Sequence, residues 1–403
     1  MKYINKRLNI EGVSVENISK RYGTPSYCYS FKLLRENIQR FKKSFKSISP
    51  LICFSIKSNS NIYLIKEIKK FGLGADVVSM GELMIALKAG IKPNKIVFSG
   101  VGKTTKEIEY AIKKNILLIN AESQSEIQEI DRLARLNKKK ISIGIRLNPN
   151  TDPKTLSQIA TGKKDNKFGV DEKMFLKLVK FCKNSNNINL KCLSVHIGSQ
   201  ILNYKPYEKM LKVIDKILKK IDHKFSFIDL GGGMGISYNK FDKKLNYKKY
   251  NFILKKFLRN NKVKIIFEPG RSIVGNTGML ISKVIYIKEG ERKNFAIIDA
   301  AMNDFMRPAL YGANHTIYPS IKNNNLKKTY EFVGPICEST DKFSTIKNFQ
   351  KLEEKDDVII CDVGAYGMSL SSNYNVRPKA IELLIKGSKV KIIKKRQKYT
   401  DII

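Results

Sequence analysis

The sequence predicts an α/β protein, a (β/α)8 TIM-like barrel followed by a C-terminal mainly β domain. Three observations lead there. At 403 residues the chain is too long for one small core, so it calls for two domains or a large barrel with an appendage. From about residue 50 to 270, short apolar runs alternate with helix-like segments, the pattern of repeated βα units on a parallel sheet. Beyond about Gly275 the texture changes to short strand-like runs separated by polar turns.

Each element follows from its local pattern. The barrel strand candidates are 51–56, 75–78, 95–98, 117–119, 141–147, 190–195, 227–230 and 264–267, about the number a closed barrel requires. Helix starts are marked by Thr104 with Glu107 and Ser123 with Glu126, both fitting a capping box in which each side chain satisfies the other's orphan amide. The later runs 279–287, 295–298, 330–333, 358–362 and 390–393 read as strands of the second domain. The expected boundaries are 31–275 for the barrel and 276–403 for the β domain, with part of 1–30, including the strand-like 26–29, joining the latter.

Composition excludes several function classes. With 42% hydrophobic and 28% charged residues the chain reads as an ordinary globular protein. No apolar run reaches the roughly 18 residues a membrane span needs, and the start has no signal-like core, so the expectation is a cytoplasmic protein without membrane attachment. Six cysteines lie scattered without CxxC or Cys/His clustering, which indicates neither a disulfide framework nor a metal site. Lys+Arg 76 against Asp+Glu 36 gives a net charge of +40. These lysines are spread along the whole chain among Asn and Ile, as codon bias at permissive surface positions would place them, and no confined basic arm or nucleic-acid motif accompanies them.

Several residues carry chemical potential. Lys57 follows the first barrel run, so it falls at the carboxyl end of a strand, where barrel active sites are built. A partly desolvated lysine there could form a Schiff base with an aldehyde cofactor; in so lysine-rich a chain the competing reading is a solvated loop residue. The run Gly231, Gly232, Gly233 closes another strand, and successive glycines let backbone amides approach a phosphate; a flexible turn is the alternative. Glu268, Pro269, Gly270 and Arg271 end the next strand and would share that rim. A carboxylate at Glu268 would keep a pyridinium nitrogen protonated. His196, followed by Ser199, also ends a strand, as a ring-stacking group, a phosphate neighbour or a structural histidine. Arg307 and Tyr311 together make a carboxylate clamp, or else a surface pair. Cys337 beside Glu338 offers a thiol proton donor next to an amine-gripping carboxylate, or a buried inert cysteine.

Taken in order, nine segments resemble the fold-type III pyridoxal-phosphate decarboxylases with an alanine racemase-like barrel, and within them the branch acting on meso-diaminopimelate. They are FSIKSNSN at 54–61, GADVVSMGEL at 74–83, NKFGV at 166–170, HIGSQ at 196–200, DLGGGMGI at 229–236, EPGRSIV at 268–274, DAAMNDFMRPALY at 299–311, GPICESTD at 334–341 and DVGAYGMSLSSNYN at 362–375. Departures from the family pattern fall at 155–162 and at Ala301. The resemblance implies pyridoxal 5'-phosphate as cofactor, conversion of meso-2,6-diaminopimelate to L-lysine and CO2 as the last step of lysine biosynthesis, and a homodimer with active sites shared across its interface. It implies Lys57 as the cofactor-carrying lysine, His196 against the ring and Glu268 at its nitrogen. Ser199, Gly231 to Gly233, Pro269, Gly270 and Arg271 are implied around the phosphate. Arg271, Arg307, Tyr311 and Glu338 are implied at the substrate's distal end, Tyr366 at cofactor and substrate, and Cys337 as proton donor.

Rivals remain at this point. Ornithine, arginine and carboxynorspermidine decarboxylases share the fold, but a substrate with no second carboxylate needs no clamp at Arg307 and Tyr311. Alanine racemase shares the barrel but needs a two-base arrangement, which the segment around Cys337 does not fit. A non-catalytic pyridoxal-phosphate carrier would be a barrel alone, without the β-rich tail that holds Cys337 and Tyr366.

Overall fold

The computed structural model describes residues 1–162, 166–238, 242–323 and 326–403. The chain forms two compact units. One comprises Met1–Asn37, Ser237–Asp242 and Ile273–Ile403, the other Ile38–Ile236 and Lys243–Ser272.

In the first unit the amino terminus makes a three-stranded antiparallel sheet, β1 (Lys2–Ile4), β2 (Arg7–Ile10) and β3 (Val13–Ser14), before strand β4 (Ser26–Ser30). The second unit contains β5 (Leu51–Ser55), β6 (Gly74–Val77), β7 (Ile96–Phe98), β8 (Leu118–Ala121), β9 (Ile141–Arg146), β10 (Ile188–Ser194), β11 (Phe227–Asp229) and β12 (Lys264–Phe267). These eight close into a parallel barrel in sequence order, with β12 pairing back onto β5. The rest of the first unit is mainly β: β13 (Gly278–Lys288), β14 (Asn294–Ile298), β15 (Ile317–Pro319), β16 (Lys327–Val333), β17 (Lys342–Gln350), β18 (Asp357–Cys361), β19 (Ile381–Lys386) and β20 (Lys389–Lys394). Long β13 lies at its centre, bonded to β14, β18 and β4, and β4 bridges it to β19. Ile10, Val15, Cys28, Ile281, Ile359 and Leu383 fill one core of this unit.

The barrel interior follows from the two-residue period of a strand. Cys53, Val97, Leu118, Cys192 and Ile266 form a dry layer inside it. Two residues further along the same chain stretches stand Ser55, Ser99, Asn120, Ser194 and Glu268, all buried. Because all the strands run the same way, this second layer lies on the C-terminal side of the first, and it is polar throughout. Sequence alternation therefore lifts polar groups to the face where a barrel does its chemistry.

The helices between strands are amphipathic. Lys205–Leu218 buries Tyr207, Met210, Leu211, Ile214 and Ile217, one face at a helical period. Of the two expected capping boxes, that of Thr104 with Glu107 is complete. At Ser123 only half forms: its hydroxyl takes the Glu126 amide at 3.1 Å, but the Glu126 carboxylate turns to the Glu122 amide at 2.8 Å and to Lys103 Nζ at 2.6 Å. The Lys103 side chain is only 1% exposed, so its buried ammonium claims that carboxylate. Among the described residues no helix is long and apolar enough to cross a membrane.

Candidate active site

Lys57 sits in the single turn that follows β5. Its Nζ donates to Asp76 Oδ2 at 2.8 Å, and Ser55 Oγ donates to the same oxygen at 2.7 Å. The Asp76 side chain is fully buried, whereas that of Lys57 is 37% exposed. A buried carboxylate thus pins the ammonium while leaving it reachable, which answers the solvated-loop reading. Asp76 was not singled out from the sequence. Its signal was there: a lone acid in an otherwise apolar strand must find a cation or a proton once buried.

Two more carboxyls lie in the polar layer. Asp229 accepts Asn120 Nδ2 at 2.9 Å, Ser194 Oγ at 3.3 Å and the Gly231 amide at 2.9 Å. Glu268 Oε1 accepts Ser99 Oγ at 3.4 Å. Burial pushes the Glu268 carboxyl well above the ordinary carboxylate range, and the charges of Asp229 and Asp76 push it further, against the pull of Lys57. Asp229 is raised too, chiefly by burial. Glu268 is thus biased toward its protonated form by burial and by its acidic neighbours.

His196 is held neutral. Enclosure by the rim lowers its pKa well below the usual imidazole value, and the charges of Arg146 and Lys57 add to that. Its Nδ1 accepts the Gly232 amide at 3.2 Å, so the proton resides on Nε2. The glycine run is fixed from several sides: Tyr207 Oη donates to the Gly232 carbonyl at 3.1 Å, the Glu268 amide to the Gly231 carbonyl at 2.8 Å and the Ile201 amide to the Gly233 carbonyl at 2.9 Å. Gly231 and Gly233 have φ of +61° and +85°, and a Cβ on Gly232 would collide with the Glu268 carbonyl. Only glycine fits this cradle. Arg271 Nη2 donates to Ser199 Oγ at 3.0 Å beside it, and the Pro269 carbonyl accepts the Ser55 amide at 3.2 Å. Gly270 packs against the Ser58 hydroxyl. Arg146, also missed in the sequence, pairs with Glu122 at 2.9 Å. Glu122 in turn takes the Gly100 and Gly169 amides, tying the NKFGV segment to the rim.

The mainly β unit carries the other expected residues. Arg307 opens the short helix Arg307–Tyr311, is buried, and donates through Nη1 to Tyr238 Oη at 2.9 Å and His315 Nε2 at 2.8 Å. Tyr311, at the helix end, is half-buried. Cys337 and Glu338 are exposed, which rules out the inert buried cysteine. Their loop is organised by Asp341, which accepts the Met302 amide at 2.7 Å and the Ile336 amide at 2.8 Å. The Glu338 carboxylate accepts the Tyr374 hydroxyl and, at 3.1 Å, that of Thr340. Tyr366 stands at φ +57°, in the left-handed region that a bulky residue seldom adopts.

One pH effect follows from the buried acids. Glu82, Asp304 and Asp362 are each pushed up to about 7, foremost by burial. Their unfolded values lie near 4. Between these limits the folded chain binds more protons than the unfolded one, so folding stability falls as pH rises through about 7. The cofactor-free protein should accordingly melt at a higher temperature at pH 6 than at pH 8, and Glu82→Gln should flatten the difference. A melting temperature that climbs from pH 6 to pH 8 would contradict it.

A parallel barrel with a pinned lysine, buried carboxyls, a neutral histidine and a glycine cradle on one rim defines a pyridoxal-phosphate enzyme of the barrel type. Residues 32–275 match the family model of the pyridoxal-dependent decarboxylases, pyridoxal binding domain. The diaminopimelate decarboxylase of Aquifex aeolicus is 40% identical over 406 residues, spanning 100% of this chain and 96% of that one. That of Helicobacter pylori strain J99 is 42% identical over 391 residues, 96% of each. Among solved structures, the Helicobacter pylori diaminopimelate decarboxylase complexed with L-lysine superposes with TM-score 0.91 at 41% identity, covering 96% of this chain and 98% of its own. The diaminopimelate decarboxylase from M. jannaschii in co-complex with L-lysine gives a TM-score of 0.93 at 33% identity, covering 100% of this chain and 96% of its own. The chain belongs to the diaminopimelate decarboxylase family.

The residues present fit pyridoxal phosphate. Lys57 offers an amine, Glu268 offers a buried carboxyl with raised proton affinity for a ring nitrogen, and the glycine run puts bare backbone, with no side chain in the way, beside Arg271 for a phosphate.

Proposed function

We propose that the protein decarboxylates meso-2,6-diaminopimelate to L-lysine and CO2 with pyridoxal 5'-phosphate, the step that yields lysine. The observation that supports this most is likeness over both units: the relatives match the whole chain, including the segments around Arg307 and Cys337, not the barrel alone.

In this reading Lys57 Nζ holds the cofactor, Gly231 to Gly233 with Ser199, Pro269, Gly270 and Arg271 hold its phosphate side, and His196 and Tyr366 flank it. When bound, the cofactor supplies an electron sink for the pair left behind as the carboxylate departs. Glu268 would face the ring nitrogen, where a buried carboxyl of raised proton affinity could share a proton with it and balance its charge. Arg307, Tyr311 and Arg271 take the distal carboxylate, and a planar guanidinium can do so through two parallel hydrogen bonds. Glu338 takes the distal ammonium. Loss of CO2 breaks one C–C bond; Cys337 Sγ gives its proton to the same carbon, and the thiolate is reprotonated from solvent. The direct test is product analysis: purified protein with added cofactor and meso-diaminopimelate should release equal amounts of CO2 and L-lysine. Absence of lysine would dismiss the assignment.

Cys337 and Glu338 act, in the same proposal, in the site of a second copy. Lys57→Ala and Cys337→Ala proteins should each be inactive, while a mixture should recover up to about a quarter of wild-type activity, because half of randomly paired dimers hold one intact site of two. No recovery, with subunit exchange shown by mass, would place the whole site in one chain.

A further inference from the structure

His315 is one of two histidines that the sequence reading left without a role, and its hydrogen-bond partners fix its state. It is 3% exposed, and the edges of two aromatic rings pin it, Phe305 at 4.7 Å and Tyr238 at 4.9 Å between centroids. Nδ1 lies 2.8 Å from the Cys361 carbonyl oxygen, which can only accept. Nε2 lies 2.8 Å from Arg307 Nη1, which can only donate. The hydrogen-bond partners thus require a neutral ring with its proton on Nδ1 and its lone pair on the arginine.

Tyr238 works on the same atom. Its hydroxyl accepts Arg307 Nη1 at 2.9 Å, and its ring lies 4.8 Å from the guanidinium carbon, within cation–π range. Tyr238 belongs to the same compact unit as Arg307 and His315. Its backbone carbonyl accepts Thr316 Oγ1 at 3.3 Å, one residue from His315. Arg307 also bears on an acid, Asp362, whose carboxyl it pulls down against the rise caused by burial. Charge compensation and orientation are therefore divided: Asp362 supplies charge, whereas His315 and Tyr238 supply direction.

We propose that His315, assisted by the Tyr238 hydroxyl, is a positioning residue that fixes the Arg307 guanidinium for the substrate's distal carboxylate. The inference rests on the reading of Arg307 given above, so wild-type conversion of meso-diaminopimelate is measured first; failure there dismisses that reading before this one is tested.

The decisive variant is His315→Phe, which keeps an aromatic ring and removes the acceptor. It should raise KM for meso-diaminopimelate about tenfold or more, the range for a lost hydrogen bond to a charged group, with the loss falling on KM rather than kcat. L-lysine, which retains one carboxylate, should inhibit it more weakly by a similar factor. 1,5-Diaminopentane, which has none, should inhibit wild type and variant alike. His315→Gln, whose amide oxygen can reach the Nε2 position, should restore part of the loss. A merely structural histidine would weaken both inhibitors together, and that result, or no change for either, overturns the proposal. Should His315→Phe lack a cooperative melt, Tyr238→Phe decides: it should shift L-lysine and not 1,5-diaminopentane, in the same direction and by less, and an equal shift or none overturns the proposal.

Discussion

Lys57→Ala should lose activity by about three orders of magnitude or more, since it removes the amine that in this reading holds and releases the cofactor. The variant should also lose the visible absorbance of lysine-bound cofactor and the mass increment left by borohydride reduction. The structure adds a second consequence. Removing the ammonium takes from buried Asp76 the cation at 2.8 Å, and its Oδ1 has no hydrogen-bond partner among the described residues. Breaking a fully buried pair costs about 3–5 kcal/mol, and the partial exposure of Lys57 puts the expected cost below that range. Lys57→Ala/Asp76→Asn should therefore regain stability but not activity. A reducible cofactor link surviving in either variant would move the assignment to another lysine.

Glu268→Gln should cut turnover by about a hundredfold or more while cofactor stays bound, because the cradle and Lys57 are untouched but an amide cannot hand over or balance the ring proton. Its effect on stability should have the opposite sign. Glu268 lies with Asp229 and Asp76 in one buried group, so deleting an ionisable carboxyl relieves repulsion above neutrality. A melting temperature at pH 8 equal to or above wild type, with turnover collapsed, separates chemistry from folding. Unchanged turnover would take Glu268 out of the electron-sink role.

These two residues also show what the sequence discloses. Lys57 and Glu268 were legible because each ends an apolar run, and a parallel barrel sends every such end to one rim. The capping signal at Thr104 was legible because its partners are local. Asp76, Asn120, Arg146 and Asp229 were not, since their meaning lies in neighbours on other strands: Asn120 meets Asp229 across 109 residues. The half-formed box at Ser123 failed for the same reason, Lys103 being 23 residues away from Glu126. His315 and Tyr238, 77 positions apart, share one nitrogen of Arg307, a relation no spacing rule contains.

The stacked layers of the barrel interior carry a consequence for natural and engineered variation. On β5, β8 and β10, a change at Cys53, Leu118 or Cys192 alters the floor, and its cost should appear as lost yield and heat tolerance. The same change two steps along, at Ser55, Asn120 or Ser194, alters the wiring of the carboxyls and should appear as altered turnover in a well-made protein. Position along the strand thus sorts substitutions into makers of fragile enzyme and makers of slow enzyme before any of them is expressed.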